Sequence, residues 1–172
     1  QKNIEAIAIS SYNPKREEVT SRYVNLKYII NEEWIFFSNY QSPKALDFAN
    51  HKNISGLLFW QSINTQIRIK ANIQKTNTEF SDQHYKTRSI EKNVLANSSK
   101  QSVKVKSFDE VIENYNKVMN KKESIYERPI FWGGYSFTPH YFEFWEGNNK
   151  RLNKRIVFER TSNIWDEYVI QP

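Results

Sequence analysis

The 172-residue chain has no cysteine, a single methionine and only four glycines. Without cysteine there is no disulfide framework, thiolate nucleophile, iron–sulfur cluster or Cys-based zinc site. Its three histidines, His51, His84 and His140, show no ligand spacing, so no metal is expected. With Gly56, Gly133, Gly134 and Gly147 alone, neither a P-loop nor a dinucleotide-binding glycine motif can be written. A Gly-x-Ser-x-Gly nucleophile turn is missing too, which leaves hydrolase chemistry without a positive signal. Long apolar runs are scarce: Ile54 to Trp60 is too short and too interrupted to span a bilayer. Residues 1–20 lack the basic start and apolar core of a signal peptide. These absences point to a soluble, cytoplasmic protein with no membrane partner. The chain opens on Gln1 rather than Met, so residues upstream lie outside what this sequence specifies.

Aromatics are plentiful, with 5 Trp, 10 Tyr and 11 Phe making 15% of the chain. A content of 38% hydrophobic and 26% charged residues excludes disorder of the whole chain and suits one compact domain over residues 1–172. Lys and Arg number 25 against 19 Asp and Glu, a net charge of +6 that favours anionic partners. The basic residues are spread along the chain rather than gathered in one arm, which suits a solvated Lys-biased surface as well as a bound anion, and charge alone does not choose among nucleic acid, a phosphorylated small molecule and an acidic surface.

Short alternating or apolar segments rich in β-branched and aromatic residues predict strands at Ile4 to Ser10, Tyr23 to Ile30, Trp34 to Ser38, Ile54 to Trp60 and Gln66 to Lys75. The same pattern returns at Tyr135 to Pro139, His140 to Trp145, Arg155 to Arg160 and Trp165 to Ile170, with turns at Gly147-Asn148-Asn149 and Thr161-Ser162-Asn163. Ser42-Pro43 predicts a helix start, with a capping serine and proline at the first helical position. Ser107-Phe108-Asp109-Glu110 reads as a capping box before an amphipathic run, and another helix is expected over Glu79 to Arg88. Ser89 to Lys106 is polar without a sustained period, and Asn120 to Ser124 reads as a loop. The fold class expected is mostly β, a β-barrel with peripheral helices.

The densest constellation is Arg128-Pro129-Ile130-Phe131-Trp132-Gly133-Gly134-Tyr135, then Glu143-Phe144-Trp145-Glu146-Gly147, then Arg151-Leu152-Asn153-Lys154-Arg155. At these separations it resembles the C-terminal signature of the pyridoxamine 5'-phosphate oxidases. Earlier segments resemble the family in the same order: Arg22 to Lys27, Phe36 to Ala45, Gln66-Ile67-Arg68, the helix ending at Arg88, and Ser99 to Ser102. The resemblance implies an FMN-binding split β-barrel and a homodimer with flavin mononucleotide (FMN) between subunits. It also implies an oxidase that converts pyridoxine or pyridoxamine 5'-phosphate to pyridoxal 5'-phosphate, with O2 as acceptor and H2O2 as product. The family's N-terminal segment has no counterpart here, since the chain begins at about the first barrel strand.

A dianionic phosphate needs fixed cations or N–H donors, which Arg22, Lys44, the Ser42 hydroxyl and the helix start at Ser42 can supply. Standing alone, Arg22 and Lys44 would read as solvated charges, Trp145 as core and Gln66 as an exposed strand residue. The resemblance implies that Arg22, Lys27, Phe37, Ser38, Ser42, Lys44, Gln66, Gln101, Ser102, Trp145 and Arg155 contact FMN. It places Lys27, His84, Arg88, Lys92, Arg151 and Asn153 on the substrate, with Arg151 as the catalytic residue covering the ring where hydride leaves.

Several positions depart from the family's pattern. His84 stands for a tyrosine, Lys92 for a serine, Asn153 for a histidine, and Pro43 for a basic residue on the flavin-phosphate turn. His84 still donates a hydrogen bond and Lys92 still offers a point charge, but asparagine cannot carry charge as imidazole can. Two alternatives therefore stay open: a split-barrel FMN oxidase or reductase on another substrate, as in phenazine biosynthesis, and a non-catalytic protein that binds FMN or pyridoxal phosphate.

Overall fold

The computed structural model describes residues 6–121 and 125–172. The start of the first predicted strand, at Ile4 and Glu5, and residues 122–124 of the predicted loop lie outside the described residues. The strands are β1 (Ala6–Asn13), β2 (Glu18–Asn25), β3 (Tyr28–Ile30), β4 (Glu33–Asn39), β5 (Asn53–Trp60), β6 (Thr65–Lys75), β7 (Trp132–Glu146), β8 (Lys154–Thr161) and β9 (Ile164–Val169). The helices are α1 (Pro43–Asn50), α2 (Thr78–Lys86), α3 (Ile90–Ser98) and α4 (Phe108–Lys121), with a single 3₁₀ turn at Gln61–Ile63. The strands form one sheet in the order β2-β1-β5-β6-β7-β4-β3, with β8 on β7 and β9 on β8. None of the helices among the described residues is long and apolar enough to cross a membrane.

The described chain contains two compact units. Among the described residues the first holds 6–36, 47–74 and 136–172, and so most of the sheet. Its core follows from period-two patterning: Thr65, Ile67, Ile69, Ala71 and Ile73 of β6 are buried, while the residues between them are not. Ile7 and Ile9 of β1 and Ile54 and Leu58 of β5 join them. Each such side chain contributes about 1.5–3 kcal/mol by leaving water. Gly56 pairs with Ile9 on one side and Ile69 on the other, and a Cβ there would lie 2.9 Å from Ile7 Cδ1. Glycine thus makes room for a core isoleucine on the crowded face.

Among the described residues the second unit holds 37–46, 75–121 and 125–135, with α2, α3 and α4. Asn77 caps α2 by accepting from the Phe80 amide at 2.7 Å. The predicted capping box of α4 forms with a shift of one residue. Ser107 Oγ accepts from the Glu110 amide at 3.4 Å, and the Glu110 carboxylate accepts from the amide of Lys106 at 3.0 Å.

Three expectations need correction. The single strand predicted over Tyr23 to Ile30 is two, because the chain changes partner: β2 pairs with β1, β3 pairs with β4, and the Lys27 amide already donates to Ile35 O. The two strands predicted either side of Pro139 are one, since an extended backbone accommodates the fixed φ of proline. Ser89 to Lys106 contains α3, whose pattern is hidden because Asn93 is buried with Val94 and Ala96 while Ile90 and Leu95 face out.

Candidate active site

In the second unit a set of flat side chains converges around Phe37. Its ring stacks on the His84 imidazole at 3.7 Å between centroids and an interplanar angle of 12°, and on Trp132 at 5.3 Å. The indole of Trp132 carries the Arg88 guanidinium on its face, 4.2 Å from the centroid. Arg88 follows the end of α2, donates through Nη2 to Lys92 O at 3.0 Å, and keeps Nη1 buried with no hydrogen-bond partner. Burial lowers its pKa, opposed by the neighbouring Tyr85 phenol, but an arginine stays cationic. A half-buried guanidinium with one buried, unmet donor beside flat rings is chemically suited to an anionic planar ligand.

The Gly-Gly pair of the signature allows close packing beside Trp132. A Cβ at Gly133 would collide with the Tyr40 hydroxyl and lie 2.7 Å from Tyr40 Cζ, and one at Gly134 would lie 2.8 Å from Thr76 Cγ2. The Gly134 amide donates to Ser81 Oγ at 3.1 Å, and the Gly134 carbonyl accepts from the Tyr40 hydroxyl and the Thr76 amide. Trp132 is thereby anchored next to a backbone packed too closely for side chains.

Also in this unit, Ser42 and Lys44 open α1. Both are buried, and the Lys44 ammonium donates to Ser42 Oγ at 3.2 Å. The Ser42 hydroxyl gives its own hydrogen to Asn39 O at 2.7 Å, and its carbonyl accepts the first helical bonds from Ala45 and Leu46. Ser38 is buried at the end of β4, and Lys92 is exposed in the first turn of α3. Gln101 and Ser102 are exposed on a turn, Ser102 with a positive φ of 68°.

The first unit brings other expected residues together. Trp145 of β7 pairs directly with Arg155 of β8, and the buried Glu143 accepts from Arg155 Nε at 2.8 Å and from Arg68 Nη1 at 2.9 Å. Gln66 lies half-buried on β6, two residues before Arg68. Arg151 sits on the loop between β7 and β8 with a positive φ of 64°, and its amide donates to Asn148 O. Asn153 Oδ1 accepts from the Asn148 amide at 3.0 Å, so the asparagine ties the two ends of that loop. Lys27 is exposed between β2 and β3.

Arg22 is held on the core side of β2. It donates through Nη1 to Ser11 Oγ at 2.7 Å and to Ile9 O at 3.2 Å, and through Nη2 to Thr20 Oγ1. Asp47 of α1, buried, accepts from Ser11 at 2.7 Å and Asn13 at 2.8 Å and lies 3.9 Å from Arg22 Nη2. Burial lowers the Arg22 pKa and the Asp47 charge opposes that shift. Sequence reasoning named neither Asp47 nor Trp132 as a site residue, and treated Glu143 only as part of a motif. The available signals were an acid on the apolar side of a short helix and an acid inside an aromatic strand.

A family model described as the pyridoxine 5'-phosphate oxidase C-terminal dimerisation region matches residues 132–172. Over 169 residues the chain is 34% identical to the pyridoxine/pyridoxamine 5'-phosphate oxidase of Colwellia psychrerythraea, spanning 98% of this chain and 77% of that one. It is 36% identical over 169 residues to the protein of the same name from Leptospira biflexa, at 97% and 79% coverage. Among solved structures, PhzG from Burkholderia lata 383 in complex with tetrahydrophenazine-1-carboxylic acid matches with a TM-score of 0.89 at 24% identity, covering 98% of this chain and 83% of that one. A pyridoxamine 5'-phosphate oxidase-related, FMN-binding protein from Nostoc punctiforme matches with a TM-score of 0.79 at 10% identity, covering 98% and 88%. The fold shared with these structures is the mostly-β split barrel anticipated from the signature. Identity at about a third of the aligned positions, carried across nearly the whole chain, makes this chain a member of the pyridoxine/pyridoxamine 5'-phosphate oxidase family of oxidoreductases.

Proposed function

We propose that this protein is an FMN-dependent oxidase of pyridoxine or pyridoxamine 5'-phosphate, giving pyridoxal 5'-phosphate with O2 as acceptor and H2O2 as product. The observation that carries the reading is Arg88, with a buried unpartnered Nη1 and its guanidinium stacked on Trp132 beside the Phe37–His84 stack. A phosphorylated pyridine asks for a fixed cation and flat neighbours. The shared name of the relatives supports the same substrate class.

The donor set fits FMN. Lys44 is a buried cation at the start of a helix, and Arg155 stands directly across from Trp145 in the β7–β8 ladder, an aromatic and hydrogen-bonding pair suited to a flat ring with a polar edge. When bound, FMN supplies the two-electron redox chemistry that no side chain here can provide. Arg22, Ser42 and Lys44 hold its phosphate, while Phe37, Ser38, Gln66, Gln101, Ser102, Trp145 and Arg155 hold the rest. Lys27 serves cofactor and substrate. Arg88 and Lys92 bind the substrate phosphate, His84 donates a hydrogen bond, and Arg151 orients the ring and stabilises developing charge. Asn153 shapes the loop that carries Arg151.

The active form is a homodimer. Tyr23, Leu57 and Phe59 are exposed, and Tyr23 and Leu57 stand in one register row with Ala8 and Arg68, an outward apolar surface on the sheet. The family model's description as a dimerisation region supports the same state.

A second reading keeps the flavin and changes the substrate. It is favoured by Asn153, whose carbonyl oxygen is committed to the loop and which cannot carry charge. The deciding experiment is the visible spectrum of the FMN-loaded protein recorded anaerobically before and after pyridoxine 5'-phosphate is added. Bleaching that reverses in air is expected. A bound flavin that stays oxidised moves the assignment to another substrate or a binding role.

A further inference from the structure

Glu143 is a carboxylate near the C-terminal end of β7, 1% exposed, and surrounded by groups that answer its charge. Oε1 accepts from Arg155 Nε at 2.8 Å and lies 2.7 Å from Arg155 Nη2. Oε2 accepts from Arg68 Nη1 at 2.9 Å and from the Tyr141 hydroxyl at 3.1 Å. A side-on contact of this kind fixes the plane of a guanidinium as well as its position. Gln171 O takes Arg155 Nη1 at 2.9 Å, closing a second edge of the same group. Of the five N–H groups on an arginine, those outside these contacts keep donor capacity on both terminal nitrogens.

We infer that Glu143 is a positioning residue for the cofactor, acting through Arg155. It locks the guanidinium so that the remaining donors of Arg155, across the ladder from Trp145, meet the ring of FMN already oriented. A guanidinium arranged before binding loses little conformational freedom when the ligand arrives. Arg68, half-exposed, balances the second oxygen of the carboxylate, so the cluster of Arg68, Glu143 and Arg155 keeps one net positive charge. An amide in place of the carboxylate has one accepting oxygen and turns an N–H toward a guanidinium, so one of the two arginines is released. This inference rests on the flavin reading above.

The test is a double-mutant cycle on FMN affinity, read by quenching of flavin fluorescence in apo-protein, with the visible absorption band of the bound flavin as a second readout. Glu143→Gln is expected to fold as judged by circular dichroism, to bind FMN about tenfold more weakly, and to shift the bound flavin's band. In an Arg155→Met background the same substitution is expected to add no further loss. Should Glu143→Gln not fold, Glu143→Asp, which keeps the charge but withdraws the oxygens by one methylene, completes the cycle. Unchanged affinity in the single variant, or an equal loss in both backgrounds, overturns the positioning role. An unmodified protein that binds no FMN overturns the flavin reading itself.

Discussion

The Arg88 guanidinium lies 4.2 Å over the ring of Trp132 while its Nη1, buried, has no hydrogen-bond partner. An unmet buried donor on a cation destabilises the ligand-free state and strengthens binding of an anion that fills it. Arg88→Ala is therefore expected to raise KM for a B6 phosphate by about tenfold or more while leaving FMN affinity near the unmodified value. Arg88→Lys is expected to restore little, because an ammonium can neither stack flat on the indole nor donate along two edges. Steady-state kinetics beside an FMN titration separate the effects, and an unaltered KM in Arg88→Ala removes Arg88 from the substrate site.

Arg151 and Asn153 share the loop between β7 and β8 but have different work. Arg151→Ala is expected to retain FMN and lose turnover by about 100-fold or more, with KM changed less than kcat. Asn153→Ala removes the acceptor of the Asn148 amide and is expected to lower turnover more mildly, by loosening the loop on which Arg151 adopts its positive φ. Single-turnover reduction of the flavin by substrate measures both. Full turnover in Arg151→Ala would refute the assignment of that residue.

Tyr40 and Tyr135 meet edge to face at 5.3 Å in the second unit. Burial raises both phenol pKa values, and for Tyr135 the neighbouring Tyr40 raises it further. A phenol that titrates higher when folded holds its proton more tightly in the folded chain. Its contribution to stability is complete below about pH 10, the unfolded value, and is lost as pH rises through the folded value. Stability measured by urea unfolding is expected to be level toward pH 10 and to fall above it. Tyr135→Phe, with no proton to lose, should flatten that fall, and an identical alkaline slope in this variant would contradict the account.

Gly133 leaves no room for a methyl group, since Tyr40 occupies the space and is itself pinned by Tyr135 and by Lys75, whose ammonium lies 4.2 Å over its ring. Gly133→Ala is expected to destabilise the protein by about 1–3 kcal/mol. Tyr40→Phe, which removes the hydroxyl of the clash, should recover part of that loss. Thermal unfolding of the two single variants and the double variant reports the coupling, and strict additivity would argue against this contact.

Asp47 gathers Ser11, Asn13 and Arg22 on one buried carboxylate. Asp47→Ala leaves Ser11 and Asn13 without that acceptor and Arg22 without its counter-charge, and is expected to cost about 2–3 kcal/mol. If Arg22 holds the flavin phosphate, FMN affinity should fall as well. Chemical denaturation and FMN titration of the same variant give the two numbers independently.

β6 was legible because it carries its burial in its spelling: Gln66, Arg68 and Lys70 alternate with Ile67, Ile69 and Ala71, and the structure buries the second set. α3 was not legible, because a buried asparagine and two exposed aliphatics erase the helical period over a short element. Pro139 lies inside β7, and the extended backbone on either side of it carries one strand through the point where two are expected.

The sequence by itself determined the class and the family, since alternation, capping residues and a spaced signature of Trp-Gly-Gly, Glu-Phe-Trp and paired arginines are local in the chain. It also supplied the chemistry of the candidate ligands. Only the tertiary structure decided which groups answer one another. Arg88 falls on Trp132, Glu143 on Arg68, and Asp47 on the β1–β2 hairpin, in each case between residues distant in sequence. A buried charge must find its partner wherever the packed chain brings one, and that partner is set by strand register and helix placement rather than by any spacing along the sequence.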